Sequence, residues 1–244
     1  MVAEAQFPHH RWGTGVIRSI ALLTLALTAA NANCSPYDSM IDRAARNHGI
    51  DPIVLRAIAA HESNKNPWTF NADGEPFRYQ DKETAVRVLW SLTKAPWMVK
   101  AISSKGERFR RFFTNQGSAN SYAQSIRSTS RLTLRIDDSK EVNKGEVRVR
   151  ALRLINTDIG IAQVNYRWNG QGIATVQTWF DPHYNLEFAA NRIAELKKKH
   201  KNEIEAVGYY HSATPIYRKK YLEYFIPKYN EEKRLATVSV AIAR

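Results

Sequence analysis

A disulfide framework is excluded from the outset, because the 244-residue chain has a single cysteine, Cys34, and a lone thiol has no intramolecular partner. Long apolar runs are missing too. The apolar stretch at 20–30 is 11 residues long and contains two threonines, against the roughly 20 residues a helix needs to cross a bilayer. The seven histidines are scattered, and no pair stands at ligand spacing with carboxylates or the cysteine. Neither a metal nor a cofactor is therefore expected. Acidic residues are in short supply, 23 against 36 Lys and Arg, which leaves a formal charge of +13.

What is present, 43% hydrophobic and 24% charged residues, fits one sizeable domain or one domain carrying a large insertion. Arg11 and Arg18 precede the apolar run, and Ala30-Asn31-Ala32 offers small residues at the spacing of a signal peptidase site. Residues 1–32 are thus expected to be a signal peptide, His9 and His10 leaving with it, and the mature protein to be periplasmic. Asn31 and Asn33 before Cys34 do not resemble a lipidation box. Loss of Arg11, Arg18 and Glu4 lowers the charge by one, to +12. On an exported protein such charge points to an anionic surface, a cell wall or membrane headgroups, ahead of nucleic acid.

Both ends of the mature chain read as helical. Ser35 and Pro36 open a helix through Arg46 that Gly49 stops, and Asp51 with Pro52 opens another, with Val54, Leu55 and Ile58 at helical spacing. After Asn66-Pro67 the pattern breaks into turn residues, among them Asn71, Asp73 and Gly74. Asp181-Pro182 precedes a stripe of Leu186, Ala189, Ala190, Ile193 and Leu196 on a helix reaching about His200. Residues 203–211 and 216–226 give two shorter helices divided by Thr214-Pro215, and 231–244 is left as a tail.

Between these ends lies a basic insertion, 74–155, whose 17 Lys and Arg against 8 Asp and Glu supply +9 of the charge. It opens with a helical pattern over 81–92. Further on, Leu132, Leu134 and Ile136 alternate with arginines and threonine, and Val147, Val149 and Ala151 alternate with Arg148 and Arg150. The pair reads as a β-hairpin with its arginines on one exposed face, either a solvated surface or an anion-binding one. Phe109, Phe112 and Phe113 interleave with Arg108, Arg110 and Arg111, as stacking on nucleic acid requires and as core packing also produces.

The residue of most chemical interest is Glu62. It follows Ile58 by four residues and Leu55 by seven, so it shares their apolar face at the C-terminal end of its helix. Burial and the negative end of the helix dipole both disfavour the ionised form, which suits a carboxyl that must hold a proton near neutral pH. Two other stretches join it. Residues 157–165, TDIGIAQVN, carry a permissive Gly160 and the amide of Gln163, suited to a neutral sugar amide. Residues 206–212, AVGYYHS, place a phenol at Tyr210 and an imidazole at His211.

The order of these elements resembles the lytic transglycosylases of the soluble-lytic type, within the lysozyme-like superfamily. The helix ending in Glu62-Ser63 resembles that family's catalytic motif, Gly160-Ile161-Ala162-Gln163 its Gly-Leu-Met-Gln motif, and Tyr210-His211-Ser212 stands where it has Tyr-Asn-Ala-Gly. Asp181-Pro182 with Asn185-Leu186 looks like the opening of its next helix. The resemblance covers 35–72 and 156–229, and with His after the Tyr it is similar to members that accompany type IV secretion and conjugation machines. It implies a mainly α, α+β fold: a discontinuous lysozyme-like helical domain, 33–73 and 156–230, interrupted by the insertion.

The resemblance further implies that Glu62 is acid and then base, and that Tyr210 orients its carboxyl with His211 alongside. Gln163, Ile161 and the backbone near Gly160 would hold the glycan, with Ser63 assisting. The expected enzyme cleaves peptidoglycan strands between N-acetylmuramic acid and N-acetylglucosamine, forming a 1,6-anhydro sugar, and serves secretion or conjugation machinery. Two alternatives stand beside it: a goose-type lysozyme-like hydrolase, and a non-catalytic basic scaffold on cell wall or DNA. Ordinary glycosidases use two carboxylates. Asp158 is placed to be the second, or to cap the glycine turn that follows it.

Overall fold

Capping chemistry sets where the first helices begin and end. The computed structural model describes residues 35–137 and 139–242; the expected signal peptide, its cleavage site and Cys34 lie outside them. Helix α1 (Asp38–Asn47) is stopped at Gly49, φ 66°. In α2 (Pro52–Ser63) the Asp51 carboxylate accepts from the Ile53 N–H, Pro52 occupies the first turn, and Asn64 ends the helix in the left-handed region. Strands β1 (Thr69–Ala72) and β2 (Glu75–Arg78) follow as a tight hairpin. Its two central residues, Asp73 and Gly74, have φ of 54° and 89°, the positive pair that a type I′ turn demands.

The chain continues through α3 (Lys82–Lys94), β3 (Trp97–Ile102), β4 (Arg108–Phe113), α4 (Gln116–Ser130), β5 (Thr133–Leu134) and β6 (Glu146–Ala151). It then makes β7 (Thr157–Ile159), β8 (Val164–Asn165), a π-helical turn (Tyr166–Gly170), α5 (Val176–Trp179), α6 (Pro182–His200), α7 (Glu203–His211) and α8 (Pro215–Ile242). The architecture is α+β, with two four-stranded sheets in the orders β2-β1-β7-β8 and β4-β3-β6-β5. The main core joins α1, α2, α6, α7 and α8 around Leu55, Ile58, Leu186, Ile193 and Phe225, with Ile161 and Ala162 entering from the β7–β8 turn. A second, smaller core packs α4, through Ala119 and Ala123, on Val99, Ala101 and Val147 of the second sheet.

Several expectations need correction. The hairpin of the basic segment is β3–β4, antiparallel from Trp97↔Phe113 to Ile102↔Arg108. The expected partners, β5 and β6, run parallel, Thr133 opposite Glu146, joined by the crossover that a parallel pair requires. Helix α4 was not foreseen at all. The C-terminal tail is helical to Ile242, as α8 runs on through Pro227.

The arginines of β6 do share a face, but that face is internal. Cross-strand pairing sets Lys100 opposite both Arg110 and Arg148, and Arg150 beside Met98. Like charges abreast repel, and the β1–β2 hairpin supplies the counter-charges. Glu75, 1% exposed, accepts from Lys100 Nζ at 3.0 Å and Arg150 NH2 at 3.1 Å, with Arg110 NH1 at 3.5 Å. Asp73, 3% exposed, pairs with Lys140 and Arg150 at 2.7 Å each. Buried Arg148 reaches Asp137 at 2.8 Å. Phe112 and Phe113 are likewise engaged within the protein, Phe112 against Phe77 and Phe113 against Tyr122. Lys100, Arg110, Lys140 and Arg150 of the insertion therefore act as a clasp on the hairpin.

Candidate active site

Glu62 sits in the last turn of α2, and its surroundings raise its pKa to about 7, chiefly by desolvation. The residue is half-buried by surface, yet its carboxyl is enclosed by enough protein to lose most of its hydration. Two neighbours act in opposite senses. The Tyr221 hydroxyl donates to Glu62 Oε1 at 2.7 Å, which favours the carboxylate, and the negative charge of Asp158 disfavours it.

The phenol that touches Glu62 is therefore Tyr221, on α8, and not Tyr210. Tyr210 donates instead to the Ala162 carbonyl at 2.9 Å, fastening α7 to the β7–β8 turn. Burial and the Glu62 charge raise the pKa of both phenols, so each stays a neutral donor. The Tyr221 ring is held between two imidazoles. His211 stacks on it at 4.3 Å with 12° between planes, and His61 meets it edge-on at 4.8 Å. Desolvation depresses both histidines below their usual pKa, and for His61 the nearby His211 and Lys228 add to it.

The β7–β8 turn is fixed from three sides. Gly160 has φ 84°, and a Cβ there would stand 2.5 Å from Asn185 Nδ2 and 2.7 Å from the Trp179 carbonyl, so only glycine fits. Asn185, fully buried on α6, accepts from Ala162 N–H and donates to the carbonyls of Ile159 and Trp179, each at 2.9 Å. Ser63, also buried, donates to the Ile161 carbonyl at 2.7 Å and the Ala59 carbonyl at 3.1 Å. It thus bolts the end of α2 to the turn.

Gln163 adopts φ 48° and donates through Nε2 to the carbonyls of Gly160 and Thr69, at 2.8 and 3.1 Å. Both hydrogens of its amide are thus engaged by backbone carbonyls. Ile161 was expected to line the glycan, but its side chain is fully buried in the main core. Asp158 does not cap the glycine turn; it accepts from Asn165 Nδ2 at 2.7 Å across the β7–β8 pair. Desolvation raises its pKa, partly offset by that hydrogen bond.

The structure brings together Glu62, Ser63, Gly160, Gln163, Tyr210 and His211 around one end of α2. Sequence reasoning missed Tyr221 and the role of Asn185. Tyr221 sits at helical spacing with Leu222 and Phe225, which reads as plain core. Asn185 carried a signal, an amide inside an otherwise apolar stripe, since a buried amide must find partners. Among the described residues, no three His, Cys, Asp or Glu side chains converge as a metal site would require. Comparison with known proteins finds no matching family model, curated protein or solved structure.

Proposed function

We propose that this chain is a peptidoglycan lytic transglycosylase built on a lysozyme-like helical domain, a carbon–oxygen lyase acting on glycan strands. The observation that carries the reading is Glu62: a desolvated carboxyl at a helix end, balanced to about pKa 7 and held by a neutral phenol at 2.7 Å. A group half-protonated near neutral pH serves well as an acid and then a base. In the first half of the reaction Glu62 gives its proton to the oxygen bridging N-acetylmuramic acid to the next sugar, and the C1–O bond breaks. The resulting carboxylate, stabilised by the Tyr221 hydroxyl, then takes the proton of the C6 hydroxyl as that oxygen bonds to C1. The proton account closes on Glu62, and no water is consumed. A cutter of this kind fits local opening of the wall for a secretion or conjugation apparatus.

One observation favours a second reading, a goose-type lysozyme-like hydrolase. Asp158 is a second carboxyl electrostatically coupled to Glu62, and inverting glycosidases use such a base to activate water. Mass spectrometry of digested peptidoglycan separates the two. Anhydro ends, unchanged in an Asp158→Asn variant, support transglycosylation; reducing ends that vanish in that variant support hydrolysis. Digestion by Glu62→Gln at the wild-type rate would overturn the catalytic assignment of Glu62, and an inert wild type whose basic insertion holds glycan or DNA would favour a scaffold.

A further inference from the structure

Two side chains beside Glu62 have no part in the proton account above, the imidazoles of His61 and His211. What they touch is Tyr221. His211 closes the last turn of α7, where the Ser212 N–H donates back to the Gly208 carbonyl at 3.0 Å. Gly208 is also where α8 crosses. A Cβ there would stand 2.6 Å from Arg218 Cγ and 3.1 Å from Leu222 Cδ1, so bare backbone lets the two helices meet. Arg218 then secures the crossing: its guanidinium lies 4.0 Å from the centroid of the Tyr209 ring and donates to the Ala213 carbonyl at 3.0 Å. His200 stacks on the same ring at 3.7 Å. That fixed approach sets His211 of α7 flat on Tyr221 of α8, 4.3 Å away with 12° between planes. His61 meets the same phenol edge-on at 4.8 Å from α2, one residue before the carboxyl that the phenol serves.

A tyrosine hydroxyl is carried at the far end of its ring, so a change of side-chain rotamer sweeps it away from any one partner. The single hydrogen bond from Tyr221 to Glu62 Oε1 does not prevent that; rings packed on the phenol do. Stacked and edge-on aromatic pairs are both favourable arrangements, and here one of each arrives from a different helix. Charge matters as much as shape. Desolvation holds both imidazoles below their usual pKa and so neutral at pH 7, whereas a cation against Tyr221 would favour the ionised carboxyl and take the acid away. The other titratable groups facing this cluster are Tyr210 of α7, a neutral phenol, Asp158 of β7, which raises the Glu62 pKa, and Lys228 of α8, paired with Glu231 at 3.0 Å. Lys228 and His211 both disfavour a proton on His61, which adds to its neutrality.

We propose that His61 and His211 are positioning residues, uncharged plates from two helices that hold the Tyr221 hydroxyl on the Glu62 carboxyl. The inference rests on the reading of Glu62 as the acid of a glycan cleavage. Without a plate the hydroxyl leaves Oε1 for part of the time, and the carboxylate that forms in the first half of the reaction loses its donor. Glu62 then gives up its proton less readily.

The test uses the full chain and follows the Glu62 carboxyl by carbon-13 NMR through a pH titration, its resonance assigned by its loss in Glu62→Gln. Wild type, His211→Ala, His61→Ala and His211→Phe are compared, with thermal melts to show that each is folded. The expected midpoint is about 7 in the wild type, higher by about half a unit to one unit in either Ala variant, and restored by His211→Phe, which keeps the stacked ring. With peptidoglycan as substrate, the basic limb of kcat/KM against pH moves up with the midpoint. In the same assay kcat falls about fivefold while KM stays within about twofold, because the plates act on the acid and not on the strand. A midpoint that stays put or falls in the folded Ala variants, a loss of kcat with no such shift, or a Phe variant as impaired as Ala would each overturn the positioning role. Midpoints that shift as expected in a chain that digests no peptidoglycan would uphold the plates and overturn the glycan reading.

Discussion

Replacing Glu62 by Gln should stabilise this protein, and only above a definite pH. The ordinary carboxyl value of 4.5 is raised to about 7 in the folded state, so between those two values the native chain holds a proton that the unfolded chain has released. Because stability changes with pH as the difference in protons bound, unfolded minus native, the wild type loses stability as pH rises through that window. The contribution of Glu62 is thus fully present below pH 4.5 and gone above pH 7. A gap of 2.5 units at 1.36 kcal/mol each gives about 3 kcal/mol. Gln has the shape of the protonated acid and can accept from Tyr221, but never ionises. Urea denaturation of both proteins at pH 4.5, 6 and 8 is the assay. Near-equal stability at pH 4.5, growing to an advantage of about 3 kcal/mol for Glu62→Gln at pH 8, is the expected course. A difference that ignores pH, or a wild type more stable at pH 8, would refute the claim that Glu62 is desolvated. On the proposed reading the extra stability would be accompanied by lost glycan cleavage, the usual trade where function needs a destabilised group.

Three further outcomes follow from the same geometry. Tyr221→Phe removes a hydrogen bond to a charged group worth about 1.5–3 kcal/mol, so the Glu62 pKa should climb by roughly one to two units, read as an upward shift of the basic limb of kcat/KM against pH. Gly160→Ala forces a Cβ against Asn185 and Trp179 at a positive φ, and overpacking with backbone strain should cost about 3 kcal/mol or more, measured by the urea midpoint. Glu75→Gln leaves Lys100, Arg110 and Arg150 short of a buried counter-charge and should destabilise by about 3–5 kcal/mol; a loss under 1 kcal/mol in urea would show the clasp to be decorative.

The helices that frame the site were legible because their signals are local. Asp51-Pro52, Asp181-Pro182 and the apolar stripes placed α2 and α6, and α7 falls where its pattern predicted. Helix α4 did carry a signal, Ala119, Tyr122, Ala123 and Ile126 at helical spacing facing the small core, but the Ser, Asn and Gln around them, which favour turns, masked it. The β5–β6 error has another source. Alternation marks a strand but carries nothing about its direction or its other partners: β6 lies between β3, its antiparallel neighbour, and β5, which runs parallel to it. The same limit applies at the site. Glu62 and Gln163 announce themselves by type and place, whereas the pairing of Tyr221 with Glu62 spans 159 positions and exists only once α8 lies along α2. Swapping which tyrosine holds Glu62 is the kind of error that local reasoning makes when two phenols lie near one carboxyl.

The last turns of α8 bear on how this protein can be handled. Lys65, three residues past Glu62, lies between Asp38 at the start of α1 and Glu232 beyond Pro227, at 2.8 Å from each. A boundary drawn at 230, where the family-like region was expected to stop, would strip away one of the two anions that neutralise a nearly buried ammonium just past the end of α2. The smallest fragment that keeps this ion pair is accordingly longer than the motifs suggest. An affinity handle or fusion partner placed after Ile242 leaves that lock intact; one that replaces the segment from 231 onward should yield a protein whose defect is mistaken for a missing motif.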